Sequence, residues 1–296
     1  RDHVEQITFG QLGGLPDEAF VQPENVNFTS FDGRVIPALL YRPRTTATGR
    51  IPAILSIHGG PDSQERPEWR YSGLYHYLAY RGVAVLAPNV RGSTGYGKSY
   101  QSLNTHDWGG ADLLDMEAAA KYLQAQDWVD VGRLGVFGAS YGGFATLSCV
   151  TRLPQYWAAA VELVGPSNLL TFVESVPPMW RRFMDTWVGN PETEREFLLE
   201  RSPISYVDQI RCPLLVMQGA NDFRVVRAES DQMVERIRGR GGVVDYVVFE
   251  NEGHGFTRRE NEVKAYRMAA EFFLAVFGSS NVVPEAQSSN LSAGTS

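Results

Sequence analysis

Six short apolar runs, separated by stretches of helical character, limit this chain to few architectures. They are 52–57 (PAILSI), 83–87 (VAVLA), 133–137 (RLGVF), 158–163 (AAAVEL), 213–217 (PLLVM) and 243–249 (VVDYVVF). Continuous apolar runs of this length suit strands covered on both faces, because a strand with one wet face alternates instead. Helical patterns lie between them at about 72–81, 110–126, 141–152, 226–239 and 260–277. Strand–helix–strand alternation implies a doubly wound parallel sheet with right-handed crossovers. Two earlier strand-like stretches, 25–31 and 35–42, join through Asp32-Gly33, a strong hairpin signal. The expected fold is therefore α/β: eight strands, mostly parallel, with the first two antiparallel.

Three regions fall outside this alternation. Residues 1–24 carry Gly13-Gly14 and two prolines with little periodicity, and read as an arm or linker. The segment at about 164–210 has no strand pattern and is rich in aromatics and prolines; it reads as a helical insertion over one end of the sheet. Residues 279–296, rich in Ser, Asn and Gly, read as a disordered tail. The catalytic domain expected between these ends spans 25–278.

Composition excludes some classes. The chain has 296 residues, 43% of them hydrophobic and 21% charged, ordinary for a globular protein with a large core. A net charge of -7 argues against nucleic acid as a partner. The two cysteines, Cys149 and Cys212, sit in no C-x-x-C or His-rich context, so no metal or cofactor is expected. No apolar run approaches a membrane span, and no signal peptide is visible. With buried thiols, these features give the expectation of a cytoplasmic protein. Homo-oligomerisation stays open.

The chemistry-bearing motif is Gly138-Ala139-Ser140-Tyr141-Gly142, directly after the apolar run Leu134–Phe137. It matches G-x-S-x-G, a strand–turn–helix bend that lifts a serine hydroxyl clear of a sheet. Ser140 is then a candidate nucleophile. It needs a base to take its proton, usually histidine, and a carboxylate to orient that base. In this topology the chain order is Ser, Asp or Glu, His. Asp222 follows run 213–217 and His254 follows run 243–249, so both fall at carboxyl ends of strands. Asp222 also suits a plain turn, and a loop histidine also suits solvent; the shared order favours a triad. An oxyanion needs two donors. One is the Tyr141 N–H. The other is assigned to the Gly60 N–H in His58-Gly59-Gly60-Pro61, with Gly59 as the alternative.

The flanking residues carry a resemblance. His58-Gly59-Gly60-Pro61, Asn89-Val90-Arg91-Gly92-Ser93-Thr94-Gly95-Tyr96-Gly97, Gly138 to Gly143, Asp222-Phe223-Arg224-Val225 and Glu252-Gly253-His254-Gly255-Phe256 resemble the prolyl oligopeptidase family. The branch most similar looks like the acylaminoacyl peptidases. The resemblance covers about 23–278 and implies an α/β-hydrolase fold and a serine peptidase for short peptides or acyl-peptides. It also implies that Arg224 binds the substrate carbonyl beside the scissile residue. The aromatics Phe172, Trp180, Phe183 and Trp187 would then wall the pocket for the residue before the cleaved bond, or else simply pack the insertion. Arg91 with Asp112 or Asp115 reads as a structural ion pair. Two features depart from the family. Val226 replaces a frequent proline, and the family's upstream β-propeller has no room here, so 1–24 reads as its remnant or a hinge. A carboxylesterase and a non-catalytic truncated subunit remain the rival expectations.

Overall fold

The computed structural model describes residues 5, 7, 15, 19–44 and 49–278. One sheet holds eight strands: β1 (Glu24–Thr29), β2 (Val35–Tyr41), β3 (Ile51–Ile57), β4 (Ala84–Pro88), β5 (Val129–Ala139), β6 (Ala159–Leu163), β7 (Leu214–Gly219) and β8 (Val244–Phe249). The helices are α1 (Leu74–Tyr80), α2 (Lys98–Gln101), α3 (Ala111–Gln124), α4 (Tyr141–Arg152), α5 (Leu169–Ser175), α6 (Pro178–Trp187), α7 (Arg195–Arg201), α8 (Ala228–Gly239) and α9 (Arg259–Val276). This is the α/β-hydrolase fold.

Spatial order is β1-β2-β4-β3-β5-β6-β7-β8. β2 runs antiparallel to both β1 and β4, and every other neighbouring pair is parallel. The chain winds outward from β3 to β4, then returns past β3 to lay down β5. The carboxyl ends of the neighbours β3 and β5 thus form the switch point where open α/β sheets leave a crevice. The loop after β3 carries His58-Gly59-Gly60, and the loop after β5 carries Ser140.

Alternation along the strands feeds two cores. Ala84 and Leu86 join the core on the side of α3, α4 and α8, while Val85 and Ala87 join that on the side of α1 and α9. All four are fully buried, as continuous apolar runs require. Burying one Leu or Val side chain contributes roughly 1.5–3 kcal/mol, so two cores of this size sustain the domain without disulfides. Cys149 and Cys212 are both free and buried.

Three details differ from expectation. β5 starts at Val129, four residues earlier than the apolar run, because Val129 pairs with Ile51 across a register shift. The short α2 was not legible, since four residues carry no period. Arg91 pairs with Asp115 (Nη2–Oδ1 2.7 Å) and with Asp32 on the β1–β2 turn (3.3 Å), not with Asp112. Asp112 instead accepts from the Tyr141 hydroxyl. The segment between β6 and β7 holds α5, α6, α7 and a 3₁₀ turn at 203–209. Its residues Leu169, Val173 and Leu198 are fully buried in the α3/α4 core. The proposed tail, 279–296, and most of the arm lie outside the described residues.

Candidate active site

The bend after β5 is tight for a stated reason. A Cβ on Gly138 would lie 2.2 Å from the Gly142 carbonyl oxygen, and one on Gly142 would lie 2.0 Å from that of Ile57. Strand and helix backbones touch here, so both positions exclude a side chain. Ser140 adopts φ 60, ψ -121, a conformation non-glycine residues reach only at a cost of about 1–3 kcal/mol. Its N–H donates to Leu163 O at 2.8 Å, which anchors the bend on β6.

Three distant side chains meet above it. His254 Nε2 lies 2.7 Å from Ser140 Oγ, and His254 Nδ1 lies 2.7 Å from Asp222 Oδ2. A carboxylate can only accept, so Nδ1 carries the proton and Nε2 is left to accept from the serine hydroxyl. Asp222 Oδ1 accepts the N–H groups of Arg224 (2.8 Å) and Val225 (3.0 Å), which fixes the carboxylate. The Asp222 side chain is fully buried, while that of His254 is 12% exposed. The ring thus stays reachable from the cleft.

The loop after β3 approaches Ser140 closely. A Cβ on Gly59 would stand 3.4 Å from Ser140 Cβ. Gly60 has φ +125, and a Cβ there would meet Asp62 N at 2.6 Å, so glycine is required. Buried His58 braces this loop. Its ring nitrogens lie 2.8 Å from Gly59 O and 2.8 Å from Ser93 Oγ. Burial pushes its pKa down to about 4, so the ring is neutral. Nδ1–H donates to Gly59 O, and Nε2 shares the one Ser93 hydroxyl proton with the Val90 carbonyl oxygen, which lies 2.6 Å from Ser93 Oγ.

A cavity of about 280 Å³ opens beside Ser140. Phe172, Trp180, Phe183, Trp187 and Arg224 all line it, as do Gly60, Tyr141 and His254. Trp108, Pro166, Met184 and Val225 complete it. The four expected aromatics therefore divide their duty: Phe172 is buried in the core while Phe183 is 53% exposed at the rim. Arg224 is exposed, with its guanidinium 5.7 Å from the Trp180 ring and 6.0 Å from that of Phe223. Its side chain makes no ion pair among the described residues.

The sequence profile of the prolyl oligopeptidase family matches residues 69–280, most of the chain. The chain belongs to the prolyl oligopeptidase family. Dipeptidyl aminopeptidase BIII of Pseudoxanthomonas mexicana is 40% identical over 84% of this chain and 38% of its own. The acylamino-acid-releasing enzyme of Sus scrofa is 25% identical over 87% of this chain and 36% of its own. The solved structure of a Mycobacterium tuberculosis puromycin-hydrolyzing peptidase superposes with a TM-score of 0.84 at 27% identity, covering 89% of this chain and 40% of that one. Dipeptidyl and acylaminoacyl enzymes thus both stand among the relatives, and the chain spans about two fifths of their length.

Within this family member, four further residues have roles that the sequence reading did not assign. Trp108, from the loop before α3, packs edge-on against Tyr141 (4.9 Å) and Trp187 (5.1 Å). Asp112, in the first turn of α3, holds the Tyr141 hydroxyl; burial raises its pKa to about 6 despite that bond. Glu252 pins the His254 loop. Its oxygens accept from Thr257 N (2.9 Å), Arg258 N (3.0 Å) and Asn261 Nδ2 (2.7 Å). Burial alone would raise its pKa, but these donors hold it below the ordinary value. Glu162, fully buried on β6, accepts from Gly165 N at 2.9 Å with one oxygen, and the other has no partner among the described residues. Only Glu252 left a signal, being two residues before His254. No group of three or more His, Cys, Asp or Glu able to hold a metal occurs among the described residues. No helix among them is long and apolar enough to cross a membrane.

Proposed function

We propose that this chain is the catalytic domain of a serine-type peptidase cleaving short peptides or acyl-peptides through an acyl-enzyme. One observation carries the reading: the unbroken line Asp222–His254–Ser140, with both links at 2.7 Å, at a strained strand–helix bend. Ser140 attacks the scissile carbonyl as His254 takes its proton. Asp222 keeps the ring in the accepting tautomer and stabilises the imidazolium that forms. The Tyr141 and Gly60 N–H groups receive the negative oxygen, helped by the positive end of α4. His254 then protonates the departing nitrogen, and water repeats the sequence on the acyl-enzyme.

The cavity walls suit an apolar or aromatic residue on the acyl side of the bond, since aromatics outnumber polar groups there. Arg224 stands at the junction with donors to offer a substrate carbonyl. Relatives named as dipeptidyl and acylaminoacyl enzymes agree with a peptide substrate. An upstream domain, where the whole protein has one, would set which peptides reach the cleft.

Matched ester and peptide substrates test the reading against a carboxylesterase. The peptidase reading expects Arg224→Ala to lower kcat/KM for the peptide more than for the ester. Equal losses, with negligible peptide turnover by the parent chain, would favour the esterase.

A further inference from the structure

A second cavity, of about 400 Å³, lies across Ser140 from the first. The two share Gly60, Ser140, Arg224 and His254, so they are halves of one cleft divided at the nucleophile. Their other walls differ. The first is closed by the α5–α6 insertion, the second by Tyr71, Leu163, Val164, Phe256 and Tyr266. We infer that this second cavity is a leaving-group pocket, selective for an aromatic or bulky apolar residue on the departing side. The inference rests on the hydrolase reading above and adds a preference to it.

Proton delivery fixes the side. His254 Nε2 must reach the departing nitrogen, so that group leaves past the imidazole. Gly60 and His254 line both cavities, but only the second contains the residues that follow the ring, Gly255 and Phe256, and only the first contains Tyr141.

The walls fix the chemistry. Tyr71 and Tyr266 lie ring to ring at 5.5 Å, and Phe256 packs on Phe249 at 4.4 Å. The cavity's other cation besides Arg224, Arg70, is already compensated. It bonds Glu68 at 2.7 Å and the Gln64 carbonyl at 2.9 Å, and faces Glu65 at 3.5 Å. It therefore holds the wall and has little charge to offer an anion. The backbone at the wall is strained as well. Tyr71 (φ 50), Ser72 (φ 51) and Gly73 (φ 82) are three consecutive left-handed residues. Two of them are not glycine, and such strain persists where the surroundings over-determine it, often at ligand sites. Here it turns the Tyr71 ring onto Tyr266 and Phe137.

Acyl transfer reads this pocket separately from the first. An N-acyl-phenylalanyl p-nitrophenyl ester loads Ser140 and releases p-nitrophenol. An added amino-acid amide then competes with water: its nitrogen attacks the acyl carbon, the C–Oγ bond breaks, and the amine's proton returns through His254 to Oγ. The ratio of transfer to hydrolysis, read by chromatography, measures amine binding on a common acyl-enzyme. Phenylalaninamide should exceed glycinamide by roughly tenfold to a hundredfold, the usual worth of one buried aromatic side chain. Tyr266→Ala should erase most of that gap and Tyr266→Leu part of it. Val263→Ala, an exposed change on the same helix, should keep it. Equal ratios for the two amides, or a gap that Tyr266→Ala and Tyr266→Leu leave intact, would overturn the inference while the acyl-enzyme stands. No release of p-nitrophenol above the spontaneous rate would overturn the hydrolase reading and the pocket with it.

Discussion

Single side chains decide much here through partners far away in sequence. His58 is the clearest case, because it braces the Gly59-Gly60 loop without touching the cleft. His58→Ala or Ser93→Ala should lower kcat by roughly tenfold to a hundredfold, less than or equal to the loss of one oxyanion donor, with a smaller effect on KM. Steady-state kinetics on an acyl-phenylalanyl nitroanilide would show it. Glu162 gives a stability test. Its pKa stands at about 8 in the folded state, above the ordinary 4.5, because burial penalises its charge. The sign follows: stability is full below pH 4.5 and erodes as pH rises from there through 8. Each tenfold change in proton affinity is worth about 1.4 kcal/mol, so Glu162→Gln should gain on the order of 5 kcal/mol over the parent at pH 9 and little at pH 4.5. Urea unfolding at both values checks this; a gain equal at the two would refute it. Ser140, Asp222 and His254 were legible because each sits in a short motif just past an apolar run. His58's bracing role, Asp112 and Glu162 were not, since each acquires meaning only from a neighbour that folding brings near.

Whole elements were read from periodicity with good effect where they are long. α3 and α9 carry several turns with one buried face, α4 is buried almost all round, and the central strands carry continuous apolar runs. α2 and the pieces of the insertion are too short for a period to show, so only their lack of strand pattern was visible. α6 ties the fold to the proposed selectivity. It presents Trp180, Phe183 and Trp187 to the first cavity, and Trp187 packs on both Trp108 and Phe183. Trp187→Ala should cut kcat/KM for phenylalanyl substrates roughly tenfold or more while sparing alanyl ones, since a smaller side chain buries less against that wall. The β5–α4 bend makes a different demand. Gly142→Ala should cost about 3 kcal/mol or prevent folding, because its methyl would enter the Ile57 carbonyl. A urea midpoint unchanged from the parent would show that the bend tolerates more than its geometry implies.

At the level of the molecule, sheet topology brings the parts together. The return from β4 across β3 to β5 sets the His58–Gly60 loop beside the Ser140 bend, and the β7 and β8 loops deliver Asp222 and His254 to the same end. Local pattern announces strands but not their order, so this convergence was expected from the motif rather than read from the runs. The division of the cleft into two cavities was not legible at all, since Tyr71, Phe256 and Tyr266 come from separate loops and helices. The proposed chemistry turns on whether Ser140 is a nucleophile. Incubating the chain with a fluorophosphonate probe and mapping the labelled peptide decides it. We expect stoichiometric label on Ser140, lost in folded Ser140→Ala together with turnover of acyl-phenylalanyl nitroanilide. A folded Ser140→Ala that still turns over this substrate, or a parent chain labelled elsewhere, would contradict the mechanism.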